Sequence, residues 1–207
     1  MADGVFYVRD SELPDGRWAV TAYSSTSFAE GEIVDAAAAA EAIANPATRV
    51  VWRTFESERG IIRIERGASE VPGAPNVWFV NVDEPKARPK ATNLVGFATD
   101  HFEPGTVVNR YQFASLGLPN DEQVGAIRWY TELAIVHQVF VAEEWRRRRA
   151  GSAILYAADA FHQSMGWPGT LKSDGRHTDL GQQFLAAQSY PARFPTRTAV
   201  MPPMDPA

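Results

Sequence analysis

An apolar run that stops at a cluster of four arginines constrains this chain more than any other stretch. From Leu133 to Val141 the residues are β-branched, aliphatic or aromatic apart from His137 and Gln138. That composition predicts a strand buried on both faces and central in a sheet. From about Glu143 the period changes: Ala150, Ile154, Ala157 or Ala158, Phe161 and Met165 recur at three- and four-residue steps. The spacing predicts a helix from about residue 145 to 166 with one face on the sheet. Gly166, followed closely by Pro168, ends it. Strand, turn and helix meet at Arg146-Arg147-Arg148-Arg149-Ala150-Gly151. The first N–H groups of a helix have no intrahelical partner and the dipole is positive there, so an anion is expected at this turn. Cations at a helix N-terminus oppose the dipole, which points to an anionic partner, although Glu143 and Glu144 could compensate them within the chain.

Composition narrows the function classes. The chain has 207 residues, 45% apolar and 22% charged, enough for one good core. Its formal net charge of −5 lacks the broad positive field of a sequence-independent nucleic-acid binder. With no cysteine there are no disulfides, thiolate metal sites or cysteine nucleophiles. The four histidines, at 101, 137, 162 and 177, have no zinc-site spacing, so no metal is expected. Neither a phosphate loop nor a G-x-S-x-G elbow occurs. No segment reads as a leader or membrane span, and a cytoplasmic location is expected.

Along the chain, Phe6 to Arg9 and Trp18 to Tyr23 predict a hairpin turning at Leu13-Pro14-Asp15-Gly16. Ile33 to Asn45 predicts an alanine-rich helix stopped by Asn45-Pro46. Val50 to Phe55 and Ile61 to Glu65 alternate as paired strands that join the main sheet. Strands are expected at Val77 to Val82, Asn93 to Ala98 and Val107 to Leu116, with Arg128 to Glu132 leading into the central strand. Gly169 to Leu171 predicts a terminal strand, Ser173 to Thr178 a polar turn, and Asp179 to Ala187 a helix with Thr178 as N-cap. Residues 1–75 thus read as an N-terminal elaboration on the same sheet, 76–190 as the core, and 191–207 as a proline-rich extended arm.

The stretch around Arg146 to Gly151 resembles the GNAT superfamily of acyl-CoA-dependent N-acetyltransferases. That family has a central strand, a turn reading Q/R-x-x-G-x-G/A, and a helix whose first amides hold the CoA pyrophosphate. Arg146 takes the Q/R place, Gly151 the last place, and Ser152-Ala153-Ile154-Leu155 is similar to the usual helix start. Arg149 stands where the family has its first glycine, so its side chain either adds charge to the pyrophosphate or blocks the approach. Leu94-Val95-Gly96-Phe97 resembles the family's strand before the central one. The segment S-D-x-R-x-T-x-x-G-Q-x-F, from Ser173 to Phe184, resembles one in GNAT-like proteins of actinobacterial hosts and their phages; no activity comes with it.

The resemblance implies an α/β (α+β) fold with a mixed, mostly antiparallel sheet flanked by helices. It implies acetyl-CoA as substrate and an amine as acceptor, of a small molecule or a protein. Pyrophosphate contacts would come from Arg146, Arg147, Arg148, Arg149, Ala150, Gly151 and Ser152, and the pantetheine arm would lie on the backbone of Val139, Phe140 and Val141. His137 shares a strand face with Val139 and Val141 if residues alternate, and its ordinary pKa suits a general base. Glu132 is the second candidate base, and Tyr190 the candidate acid by position. The competing expectation is a degenerate GNAT-like protein serving in binding or assembly, or contacting nucleic acid through Arg146 to Arg149. A homodimer is left open.

Overall fold

The computed structural model describes residues 4–57, 60–67, 69–118, 122–188, 194 and 197–201. It is a mixed α/β fold with mostly antiparallel sheets. The N-terminal half contains β1 (Gly4–Glu12), β2 (Trp18–Ser25), β3 (Ile33–Asp35), α1 (Ala36–Ala44), β4 (Arg49–Glu56) and β5 (Ile62–Arg66). Then come β6 (Trp78–Glu84), β7 (Ala91–Phe97), β8 (Val107–Asn109), α2 (Arg110–Ala114), β9 (Gln123–Tyr130) and β10 (Ile135–Val141). The chain continues through α3 (Ala150–Ser164), β11 (Lys172–Ser173), β12 (Arg176–His177), α4 (Asp179–Ala186) and β13 (Ala199–Val200).

The strands divide into a five-stranded sheet ordered β3-β1-β2-β4-β5, a six-stranded sheet ordered β11-β10-β9-β7-β6-β8, and the β12-β13 pair. The N-terminal strands therefore do not extend the core sheet, as expected from their sequence, but build their own. The two sheets touch edge to edge at one isolated bridge, Arg63 with Thr106, beside a hydrogen bond from Ile64 N–H to Gly105 O of 2.9 Å. Gly105 makes that approach possible, because a Cβ there would lie 1.9 Å from the Ile64 carbonyl oxygen.

Helix α3 lies between the sheets, against β2, β4 and β5 on one side and β7, β9 and β10 on the other. All of its residues except Ser152 are buried, whereas its sequence predicts one apolar face. Ala153, Ala157, Ala158 and Ala160 are small enough to let a second sheet close over it. Its polar groups are satisfied from both sides, as buried polar groups must be. Tyr7 Oη–H donates to Asp159 Oδ2 at 2.9 Å and Trp52 Nε1–H at 3.3 Å, both from the N-terminal sheet. From the other sheet, Trp129 Nε1–H donates to His162 Nδ1 at 3.2 Å. The β1–β5 sheet thus contributes Val5, Tyr7, Val20, Trp52 and Ile62 to the same core as α3 and the second sheet.

Three further expectations change. The strand read as Leu133 to Val141 begins at Ile135, after a turn in which Ala134 has φ 52°. It is neither central nor buried on both faces: its outer neighbour β11 has two residues, and His137, Gln138 and Phe140 are exposed. An apolar run does not reveal whether anything covers its far side. The strands buried at the sheet centre are β7 and β9, with Leu94, Ile127 and Trp129 inaccessible to solvent. Strand β9 also separates the Leu94-Val95-Gly96-Phe97 segment from β10. The stretch from Val107 to Leu116 is only briefly a strand, because Asn109 and Gln112 form a capping box that starts α2.

Local signals elsewhere are obeyed. The β1/β2 hairpin and the antiparallel β4/β5 pair form as their alternation predicts. Asp35 caps α1, accepting from Ala38 N–H at 2.8 Å, so the first three residues of the expected helix become β3 instead. Of the proline-rich arm, Ala199 and Val200 pair in parallel with Arg176 and His177.

Candidate functional site

Strand β10 runs into a short 3-10 turn, Glu143–Trp145, and then into the four arginines. Arg147 and Arg149 both have positive φ, 61° and 59°. Arg149 is the N-cap of α3 in the left-handed region and makes no side-chain cap hydrogen bond. At Arg149 the backbone thus has a conformation that favours glycine, held here by an arginine. All four guanidinium groups are exposed, and among the described residues no ion pair joins them to Glu143 or Glu144. Arg148 lies over the Trp145 ring at 5.6 Å, and Arg146 Nε–H donates to Val141 O at 3.1 Å. A helix start with free amides and uncompensated cations can hold a polyanion.

Beside this turn the pairing of β10 with β11 stops, and we call the stretch of β10 edge beyond it, unpaired among the described residues, the fork. β11 pairs with β10 in parallel only at Ile135 with Lys172 and Val136 with Ser173. Farther along, Val139, Phe140 and Val141 pair with β9 on one side; no described strand pairs with them on the other. Ser173 closes the fork. Its Oγ–H donates to His177 Nε2 at 2.6 Å, and His177 Nδ1–H donates to Gln182 Oε1 at 3.0 Å. Gly175 N–H donates to the same Oγ at 3.2 Å. Ser173 and His177 are buried.

The expected base sits differently. A bulge in the β9/β10 register between Val136 and Gln138 breaks the alternation, so His137 does not keep phase with Val139 and Val141. It is exposed and stacks on Tyr130 with ring centroids 5.1 Å apart. Close by, Arg128 holds Glu84 with both donors, at 3.0 and 2.8 Å, and Asn93 Nδ2–H donates to Glu84 at 2.6 Å. These hydrogen bonds, Arg128 first, pull the Glu84 carboxyl down to about 2, and Glu84 in turn raises Arg128. Glu132 lies in the turn before β10 and is paired with Lys90 at 3.0 Å. Tyr190 lies outside the described residues.

No family model, curated protein or solved structure matches this chain. The chemistry of the site rests on its geometry.

The segment from Ser173 to Phe184 is accounted for almost residue by residue. Asp174 holds Arg176 at 2.8 Å. Burial pushes the Asp174 carboxyl upward, but the backbone and side-chain hydrogen bonds of Arg176 together carry it below its ordinary value. Gly175 has φ 80°, and a Cβ on it would meet Thr198 Oγ1 at 2.6 Å. Thr178 caps α4 by accepting from Gly181 N–H at 3.0 Å. Phe184 then packs against Gly151, where a Cβ would stand 2.9 Å from the ring. The segment pins α4 onto the start of α3 and places His177 at the fork. The sequence pattern contains Ser173 and Gln182 but leaves the position of His177 open, and only the fold joins the three. Glu84 and Arg128 carry no pattern that would single them out.

Proposed function

We propose that this chain is an acyltransferase that binds acetyl-CoA at the β10–α3 turn and passes the acetyl group to an amine. The observation that carries this reading is the fork. A strand edge that no described strand covers leads from Ser173 to a helix start where Arg147 and Arg149 have positive φ and where, among the described residues, the four guanidinium groups have no carboxylate partner. The pyrophosphate would lie on the amides of Ala150, Gly151 and Ser152 with Arg146 to Arg149 around it. The pantetheine arm would run back along Val139 to Val141, which brings the thioester to the closed end of the fork. His137 is the first residue of β10 beyond the last β11 pair, Val136 with Ser173. His137 accepts the amine proton in this reading, and the chemistry needs no metal.

A second reading, an anion-binding protein without transfer activity, is favoured by one contact. Arg146 Nε–H already occupies the Val141 carbonyl that the arm would use. Titrating the full chain with acetyl-CoA and with an oligonucleotide, while following thiol release in the presence of a panel of amines, separates the two. Acyl transfer requires that acetyl-CoA bind and that His137→Ala slow turnover by a factor on the order of 10² to 10⁴. If acetyl-CoA fails to bind at millimolar concentration and nucleic acid binds through the same arginines, the second reading stands.

A further inference from the structure

The edges of the two sheets meet at the Arg63–Thr106 bridge, and beside that seam is a cleft of about 470 Å³. Its apolar wall includes Phe55, Val77 and Pro104, and its polar wall includes Arg63, Arg66 and Glu65. The charges there are unevenly matched. Glu65 is bonded by Arg53 at 2.5 Å, and Arg63 is paired with Glu103 while lying over the Phe55 ring at 5.5 Å. Arg66 is half-buried, and its one described hydrogen bond is from Nη2–H to the neutral carbonyl of Pro75 at 3.2 Å. Among the described residues no carboxylate pairs with it. Among the other half-buried arginines, Arg17 pairs with Asp15 and Arg128 with Glu84, while Arg9 lies over the Trp18 ring at 5.0 Å.

A guanidinium withdrawn from water without a counter-charge is costly, and such groups are normally paired. Burial alone lowers the Arg66 pKa, and no neighbouring charge offsets it. We propose that the seam cleft is a binding site for a small organic oxyanion, a carboxylate or phosphate monoester on a flat apolar body. Its oxygens pair with Arg66 and its ring lies along Phe55, Val77 and Pro104. The site is separate from the arginine turn and does not depend on acyl transfer.

Calorimetric titration of the full chain with phenyl phosphate and with benzoate tests this, with benzyl alcohol and inorganic phosphate as controls. Saturable binding of the aryl anions is expected, at least about tenfold tighter than either control, because only they offer both charge and apolar area. Arg66→Met is expected to weaken the aryl anions by at least about tenfold, and Arg66→Lys by less. Without ligand, Arg66→Met should melt no lower than wild type, since it removes a charge that no described carboxylate balances. If that variant does not fold, phenylglyoxal labelling of the wild-type chain answers instead: phenyl phosphate should slow modification at Arg66 on peptide mapping. Absence of saturable binding to wild type overturns the proposal. So does equal binding by Arg66→Met, or protection confined to Arg146 to Arg149.

Discussion

The start of α3 is clamped by a contact between Gly151 and Phe184: a Cβ on Gly151 would stand 2.9 Å from Cε2 of the ring, and 3.3 Å from Cγ2 of Val141 on its other flank. The glycine is therefore required for packing, whatever it does for a ligand. Gly151→Ala would gain about 1 kcal/mol of helix propensity but incur an overlap of about 1–3 kcal/mol, since neither neighbour is the free end of a flexible chain. A net loss of about 1 kcal/mol is expected in urea unfolding. Adding Phe184→Leu should recover part of it, with a coupling of at least about 0.5 kcal/mol between the two sites. Additive losses would mean the clamp is not felt.

Arg149 gives a prediction in which stability and binding move in opposite directions. Its φ of 59° is unfavourable for a residue with a Cβ, and relief of that strain should make Arg149→Gly more stable by about 0.5–1 kcal/mol. Because the side chain is exposed, it can reach a bound pyrophosphate without filling its place. The same variant should bind acetyl-CoA several-fold more weakly at low salt, the difference fading as salt screens the charge. Tighter binding on calorimetry would instead assign the side chain a blocking role.

The parts of the fold legible in the sequence are those decided within a few residues. Thr178 announces α4, Leu13-Pro14-Asp15-Gly16 announces the first hairpin, and period alone finds α3. The second sheet was not legible, because it depends on pairs such as Tyr7 with Asp159 that lie 152 positions apart. The exposure of β10 was hidden for a related reason: Val136, Val139 and Val141 need their apolar character to face the core on one side only. The open edge of β10 carries no signal in the sequence of its own, because pairing depends on how far β11 runs beside it. Its closure by Ser173, His177 and Gln182 depends on how β11, a turn and α4 fold back on one another.

Glu84 should make the chain sensitive to acid in a defined window. Its folded value of about 2 lies below the ordinary 4.5, so its contribution is complete above about pH 4.5 and is lost as pH falls toward 2. The side chain is 37% exposed, and after allowance for solvent screening the contribution is on the order of 1 kcal/mol. Guanidine unfolding of wild type and Glu84→Gln across this range checks it. The stability gap should narrow steadily as pH falls, and a constant gap would show that the Arg128 pair adds no pH-dependent stability.

His162 should act near neutrality. It is wholly buried, with Nδ1 accepting from Trp129 and Nε2–H donating to Pro168 O at 3.1 Å, so both ring nitrogens are matched to the neutral ring. Burial lowers its pKa below 6.5, against a smaller opposing pull from Asp159 and the Pro168 and Gly169 carbonyls. The unfolded chain therefore takes up a proton near pH 6.5 that the folded chain resists, and stability must fall as pH drops below that value. The slope can reach about 1.4 kcal/mol per pH unit for one group, until the folded ring itself is protonated. A protonated ring could no longer accept from Trp129 Nε1–H, so the bond tying α3 to β9 would break as the charge enters the core. His162→Gln keeps an amide in place of the ring but does not titrate. Its melting midpoint should be lower than that of wild type above pH 6.5 and nearly flat from there down to about pH 4.5, where Glu84 begins to matter, while the wild-type midpoint declines over the same window. Parallel declines in the two proteins would place the titrating group elsewhere.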